Sequence, residues 1–306
     1  MPKVCVIGSI NMDLIIRVDH MPEGGENVYC RDVSAQCGGK GENQAIALAS
    51  LGVETSFFGS LGQDDYGNDL LKNLSSHQID CSAVLRKDCK SGVAYIFVES
   101  DGENRIIVDP GANERITSQD IREKAYPLIE KADLVLIQLE IPLDCITEII
   151  QLCKRLNKKL IIDAGPIRGC KAERLAGAYC VSPNRSELGA LLGKTIETEE
   201  EVLQGAKELL DIGAGSVLIK LGSKGCLYAD RNKILKAPAY SVSAVDTTGA
   251  GDSFTAGYAC MILEGKTVEE AMDFANRCGA IAVMNKGACS GLPIKEEVYK
   301  YQLRRP

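Results

Sequence analysis

The sequence predicts an α/β fold, an α/β/α layering built on a mostly parallel central sheet. Three observations carry this expectation. A short apolar run at residues 3–7 opens the chain, further runs at 134–139, 160–162, 179–181 and 216–219 are interleaved with helical patterns at 143–156 and 202–212, and two glycine-rich segments each precede a helix. Strands that alternate with helices pair in parallel through right-handed crossovers, which makes a layered sheet. At 306 residues the chain can bury the large core such a sheet needs.

Residues 3–7 read as a buried strand, since the run is continuously apolar after Lys3 and stops at Gly8. Gly8-Ser9-Ile10-Asn11-Met12-Asp13 then reads as a polar turn before a second strand at 14–18. In an extended backbone, Asn11 and Asp13 would face the same way. Gly38-Gly39-Lys40-Gly41-Glu42-Asn43-Gln44-Ala45 opens a helix whose Ala45, Ala49 and Gly52 make a face of small residues. Its glycines either serve close packing or let the main chain approach a ligand, with Lys40 and Asn43 offering donors. Asp101-Gly102-Glu103-Asn104, between strand-like runs at 92–98 and 105–108, signals a hairpin.

Parallel sheets of this kind bind ligands beyond the carboxyl ends of their strands. Glu140, Asp163, the pair Asn184 and Glu187, and the pair Gly222 and Ser223 follow four successive predicted strands. Taken singly, each is a loop residue that satisfies local N–H groups. Their recurrence at one edge is the argument for a site. The charged tail, residues 295–306, reads as a surface helix.

The stretch most suggestive of chemistry is Val245-Asp246-Thr247-Thr248-Gly249-Ala250-Gly251-Asp252-Ser253-Phe254. Phe254, Tyr258, Met261 and Ile262 fall at the spacing of a buried helix face, so a helix begins near Ala250. Glycines before a helix start leave main-chain N–H groups uncovered, and those groups with the helix dipole attract anions. Asp252 in the first turn would stand beside such an anion as a base. An anion cradle with an adjacent base is what phosphoryl transfer to an alcohol requires. Ordinary capping would use the same residue types; the second glycine-rich helix start upstream favours the functional reading.

Composition narrows the classes further. A net charge of −7 argues against a general nucleic-acid or membrane-surface role, both of which need a basic footprint. No apolar run reaches the length of a membrane span, and the first residues lack the layout of a signal peptide, so a cytoplasmic protein is expected. The 13 cysteines are odd in number, scattered and without a C-x-x-C pair, which suits small buried hydrophobes in a reducing compartment. With only two histidines, His20 and His77, a zinc site or a Ser-His-Asp triad is disfavoured and proton transfer falls to a carboxylate. Two near misses to the G-x-x-x-x-G-K-[ST] loop, at Gly193-Lys194-Thr195 and Gly265-Lys266-Thr267, have Leu188 and Cys260 where the first glycine belongs. No G-x-G-x-x-G follows the first strand, and the sequons at Asn73 and Asn184 carry no weight in a cytoplasmic protein.

Together, DTTGAGDSF and GGKGENQA resemble the two signature segments of the ribokinase-like carbohydrate kinases, the phosphofructokinase B group, and the resemblance runs the length of the chain. It implies one domain over residues 1–306 with a small β-sheet lid drawn from about 11–36 and 90–110, closing over a sugar and often pairing in a homodimer. It implies transfer of the γ-phosphate of ATP to a primary hydroxyl of a small sugar, ribose before others, with Mg2+ on the phosphates. Asp252 would be the base, and the N–H groups of Gly249, Ala250, Gly251 and Asp252 would stabilise the transferring group. Asn11, Asp13, Gly39, Lys40, Asn43 and Glu140 match sugar-contacting positions. Asn184 and Glu187 match an N-x-x-E motif that influences the magnesium, while Lys220, Gly222, Ser223 and Asn276 fall near the nucleotide. Positions matching a potassium site are Asp246, Thr248, Ala282, Asn285, Gly287 and Gly291.

The chain departs from the family pattern at three places: Gly291 stands where serine is usual, Asp163-Ala164-Gly165-Pro166 replaces Asn-Pro-Ala-Pro, and Asn276 replaces a histidine. The first bears on potassium and the others on the substrate. Rival acceptors within the group are fructose, a keto-deoxy sugar acid or a nucleoside. A rival of another class is a non-catalytic sugar or nucleotide sensor, which would have no need of Asp252. A hydrolase using a cysteine would lack a histidine partner.

Overall fold

The computed structural model describes residues 2–100, 103–287 and 291–304. Fourteen strands occur among them. They are β1 Lys3–Ile7, β2 Asn11–Arg17, β3 Asp32–Gly38, β4 Glu54–Phe58, β5 Ser60–Gly62, β6 Leu85–Lys87 and β7 Gly92–Val98, followed by β8 Asn104–Asp109, β9 Leu134–Gln138, β10 Lys159–Asp163, β11 Cys180–Ser182, β12 Val217–Lys220, β13 Cys226–Ala229 and β14 Ile234–Ala237. Eight form one sheet in the order β14-β13-β12-β11-β10-β9-β1-β4. Pairing is parallel from β4 to β12 and antiparallel only where β13 and β14 extend the edge.

The apolar runs explain why this sheet is covered on both faces. Side chains alternate across a strand, so Cys5 and Ile7 of β1, with Val135 and Ile137 of β9, enter one core while Val4, Val6, Leu134 and Leu136 enter another. The first core packs the helices Leu143–Arg155 and Glu199–Ile212, through Ile146, Ile149, Val202 and Leu209. The second packs Lys40–Ser50, Asp65–Ser76, Ala250–Leu263 and Val268–Ala282. The result is the layered α/β/α arrangement expected from the alternation of patterns. No helix among the described residues is long and apolar enough to cross a membrane.

A second sheet of four strands, β3-β2-β7-β8, stands apart from the first. β2 runs antiparallel to β3 and parallel to β7, and β7 and β8 form the hairpin signalled by the sequence. Asp101 and Gly102 of its turn lie outside the described residues. The polar turn expected before residue 14 is instead the start of β2, because Asn11 and Asp13 pair in register with Gly38 and Gln36. Both therefore project from one side of the strand, as an extended backbone requires. Val33, Ile106, Ile107 and Val108 leave apolar surface open on this small sheet.

The helix Ala250–Leu263 starts where its pattern says, yet it is buried on more than the predicted face. Every residue from Asp252 to Ile262 is buried, since the helices Lys40–Ser50 and Val268–Ala282 flank it on the sheet. Gly257 permits that close approach: a Cβ there would stand 2.8 Å from Cys278 Sγ and 3.3 Å from Ala275 Cα. Of the described cysteines only Cys30 is exposed, and burial pushes the thiols of Cys5, Cys153 and Cys180 up to about 12. Gly257→Val is expected to force these helices apart and lower stability by about 1–3 kcal/mol. Urea unfolding checks this, and an unchanged midpoint would show that the contact has slack.

Candidate functional site

Where the parallel strands end, the chain places polar side chains that the core cannot accept. β9 ends in Gln138 and leads to Glu140, β10 ends in Asp163, β11 leads to Asn184, and β12 ends in Lys220. Two helix starts face the same edge. Lys40–Ser50 begins after Gly39, whose φ of 93° suits glycine, and Ala250–Leu263 begins after Gly249 at φ 74°. No side chain caps either helix from within; in the first, Glu42 N–H donates to Ser9 O at 3.1 Å and the Lys40 N–H to Glu140, and in the second Ala250 N–H donates to Thr247 O at 3.3 Å.

Asp252 sits between these two helices and is only 5% exposed. Asn43 Nδ2 donates to its Oδ2 at 3.0 Å, Gln44 Nε2 donates to its Oδ1 at 2.9 Å, and Lys40 Nζ lies 3.8 Å from Oδ1. The carboxylate is thus enclosed by polar groups rather than by hydrocarbon. Lys40, with 29% of its side chain exposed, forms the more open side of the enclosure. Burial alone would lower the Lys40 ammonium, but Asp252, Asp163, Glu140 and Glu187 surround it and hold it charged above its ordinary value.

Near Glu140, which feels the charge of Asp252, lies a cavity of about 210 Å³ lined by Ser9, Asn11, Asn113, Glu140, Pro166 and Arg168, among others. Glu140 accepts the hydroxyl hydrogen of Ser9, and burial raises its carboxyl above the usual range despite Lys40 nearby. Burial likewise pushes Asp13 up to about 7, with the charges of Glu140 and Asp252 adding to the effect. Gly38 must lack a side chain here, because a Cβ would fall 2.3 Å from Asp13 Oδ2. Asn11 Oδ1 accepts from Asn113 Nδ2 at 2.8 Å, and Asn113 Oδ1 in turn accepts from Ile10 N–H at 3.0 Å.

At the start of the helix Ala250–Leu263 lies a second cavity of about 540 Å³, whose walls include Lys220, Gly222, Ser223, Ala250, Gly251 and Asn276. Asn276 faces it while its amide braces the wall, donating to Ala237 O at 3.4 Å and Pro238 O at 3.3 Å. Asn184 and Glu187 form a capping box: Glu187 N–H donates to Asn184 Oδ1 at 2.8 Å and Asn184 N–H to Glu187 Oε2 at 2.7 Å. The other oxygen of Glu187 rests on Gly165, where a Cβ would come within 2.0 Å. Burial raises the Glu187 carboxyl and Lys220 partly opposes that.

The six positions expected around a monovalent cation also converge. Asp246 accepts from Thr248 N–H at 2.9 Å and Gly287 N–H at 3.0 Å; burial would raise its carboxyl, and these amides outweigh burial and hold it low. A Cβ on Gly291 would stand 3.0 Å from Gly287 O, 3.3 Å from Ala282 O and 3.2 Å from Asn285 Cβ. Among the described residues no cluster of three His, Cys, Asp or Glu could hold a metal by side chains alone.

Of the residues matched to sugar contacts, Asn11 and Glu140 line the smaller cavity, while Lys40 and Asn43 reach Asp252 instead, and several candidates have a local task as well. Gly39 and Gly41 press on the backbone of residues 8–11, with hypothetical Cβ contacts of 2.8 Å and 2.6 Å. Gly251 is different, since a Cβ there would meet nothing within 4 Å and the residue sits in a helix. Sequence reasoning passed over Ser9, Gln44, Asn113, Gln138 and Arg168. Gln138 carried a signal, being the one polar residue in the apolar run of β9; Asn113, in the short 3-10 helix Gly111–Arg115, and Arg168, in a turn, carried none.

The profile of the pfkB family carbohydrate kinases matches residues 1–295. A ribokinase from Bacillus subtilis is 36% identical over 299 residues, spanning 97% of this chain and 98% of its own. A deoxyribokinase from Salmonella typhi is 32% identical over 97% of this chain and 98% of its own. The solved structure of Arabidopsis thaliana ribokinase complexed with ribose and ATP superposes with a TM-score of 0.88 at 31% identity, covering 98% of this chain and 97% of that one. Because packing does not require glycine at 251, Gly251→Ala is expected to stabilise the fold by about 0.5–1 kcal/mol. The same methyl group should crowd the helix start and weaken nucleoside triphosphate binding roughly tenfold, one charge-assisted hydrogen bond's worth. Thermal unfolding and titration calorimetry on one sample check both signs.

Proposed function

The chain belongs to the pfkB family of carbohydrate kinases and is an ATP-dependent carbohydrate kinase, and we propose that its acceptor is the primary hydroxyl of ribose, giving ribose 5-phosphate. The observation that carries this reading is that Gly251, next to Asp252 in the chain, walls the larger cavity, while Glu140, near enough for the charge of Asp252 to raise it, walls the smaller with Asn11. The smaller cavity, about 210 Å³ and lined largely by hydrogen-bonding side chains, suits a compact polyhydroxy molecule. The ribokinases among the relatives support ribose; the deoxyribokinase from Salmonella typhi supports 2-deoxyribose as the alternative.

In this reading ATP occupies the larger cavity with its phosphates toward the amides of Gly249, Ala250, Gly251 and Asp252. Gly222, Ser223, Lys220 and Asn276 line the space for the rest of the nucleotide. Asp252 removes the proton from the sugar hydroxyl, whose oxygen attacks the γ-phosphate in line. Gly39, Asn11, Asp13, Asn43 and Glu140 orient the sugar, and Lys40 balances the charge of the base. Mg2+ accompanying the nucleotide would neutralise phosphate charge, with Asn184 and Glu187 beside it. Main-chain oxygens near Asp246, Thr248, Ala282, Asn285, Gly287 and Gly291 would hold K+ and keep the Gly249 turn in place. The small sheet is the lid, and its exposed Val33, Ile106, Ile107 and Val108 support a homodimer formed through it.

An ADP-release assay across ribose, 2-deoxyribose, fructose and nucleosides tests the acceptor. Ribose or 2-deoxyribose should saturate first, and saturation with a nucleoside alone would overturn the reading. Asp252→Asn should bind ATP normally yet lose about a hundredfold to ten-thousandfold in turnover; near-normal turnover would remove Asp252 from its role.

Asp13 gives a pH test. Its carboxyl, held up to about 7, is ionised above that pH and only then offers both oxygens to sugar hydroxyls. The sugar KM should therefore fall as pH rises through about 7, and Asp13→Asn should abolish that dependence while raising KM. A KM that stays flat through this range in the unaltered enzyme would exclude Asp13 from sugar binding.

A further inference from the structure

Gln44 takes part in neither cavity, is 0% exposed, and spends its whole amide on the groups around the base. One Nε2 hydrogen goes to Asp252 Oδ1 at 2.9 Å and the other to Asp163 Oδ2 at 2.6 Å. Its Oε1 accepts from Gln138 Nε2 at 2.6 Å. An amide has two N–H donors and one carbonyl, so a flipped Gln44 would aim its oxygen at two carboxylates and lose the Gln138 donor. Gln138 is itself held, since it lies so close over Gly8 that a Cβ there would sit 1.8 Å from Oε1. Asp163, also 0% exposed, uses its remaining oxygen to accept from Lys220 Nζ, and Lys220 walls the larger cavity.

We propose that Gln44 is a positioning residue that fixes the rotamer of the Asp252 carboxylate and ties it, through Asp163, to Lys220 at the nucleotide side of the site. This inference rests on the reading of Asp252 as the base. Its physical content is geometric. Oδ2 of Asp252 is restrained by Asn43 and Oδ1 by Gln44, so the plane of the carboxylate is set from one helix, Lys40–Ser50. Removing the Gln44 donors leaves Oδ1 with only Lys40, 3.8 Å away, and leaves two buried carboxylates without the amide between them. The charged groups facing this cluster are Lys40 from the same helix, Asp13 from β2, Glu140 after β9, Asp163 at the end of β10, Glu187 after β11 and Lys220 from β12.

The test is Gln44→Met, which keeps the volume and removes every hydrogen bond. Turnover should fall about tenfold to a hundredfold, the range expected when a reacting group is misplaced by about an ångström. KM for ATP and sugar should stay within about threefold, because ground-state contacts are untouched. If Gln44 only fills the core, the variant will show a lower Tm with kcat unchanged, and the proposal is overturned. A crystal structure of the variant decides independently of activity: the carboxylate of Asp252 turned from its present plane supports the proposal, and one left in place overturns it. Absence of turnover with every sugar in the unaltered protein would instead sink the kinase mechanism assigned to Asp252, with the crystallographic result on Gln44 still standing. Should Gln44→Met fail to fold, Gln138→Met, one hydrogen bond further away, must show a smaller loss of turnover at unchanged KM, and unchanged turnover overturns the proposal.

Discussion

Keeping negative charge out of water is the constraint on which this site depends. Asp13, Glu140, Asp163, Glu187 and Asp252 gather at the carboxyl ends of the parallel strands, with Lys40 and Lys220 set among them. A buried carboxylate is tolerated only with partners, and each missing partner is costly. The chain supplies them from three directions: amide side chains of the helix Lys40–Ser50, lysines at a helix start and a strand end, and the backbone N–H of Asn184. Burial nonetheless raises the acid at Asp13, Glu140 and Glu187. A carboxyl raised in this way can donate as well as accept, which suits it to meet hydroxyls.

Glycine explains how so many polar groups fit. Gly8, Gly38, Gly92 and Gly165 each underlie a specific side chain, Gln138, Asp13, Asn11 and Glu187 respectively, at distances no Cβ could share. They serve the site indirectly, by making room for its polar residues. Gly249 is needed for its left-handed backbone, and Gly251 for neither reason, since its surroundings are open. A helix position that gives up propensity without a packing return is best explained by what approaches it from outside.

Much of this was legible beforehand. The interleaved apolar runs gave a parallel layered sheet, and the two glycine-rich helix starts do meet, at Asp252, through Asn43 and Gln44. Periodicity was least informative where burial is total: the pattern of Phe254, Tyr258, Met261 and Ile262 implied one face, whereas the helix is enclosed all round by two neighbours that the pattern cannot reveal. The start of β2 was hidden because Asn11 and Asp13 resemble turn residues, and only pairing with β3 makes them extended. Gln44 lay within a recognised segment yet gave no sign of its task. Its partners Gln138 and Asp163 are remote in sequence, and a bridging amide is defined by what it bridges.

The departures at residues 163–166 are better understood together than singly. An aspartate at the end of β10 adds a buried charge, and Lys220 from β12 answers it directly. Glu187 then lies near that lysine, its free oxygen occupying the space that Gly165 leaves. Buried ion pairs seldom add stability over neutral neighbours of the same shape, so the aspartate at 163 is poorly explained as reinforcement of the fold. It does fix direction: Lys220 and Gln44 hold the two oxygens of Asp163 from opposite sides, and Gln44 can then present its second hydrogen to Asp252 in only one way. A neutral asparagine at 163 would offer one acceptor oxygen instead of two, and could not be held from both sides in this manner.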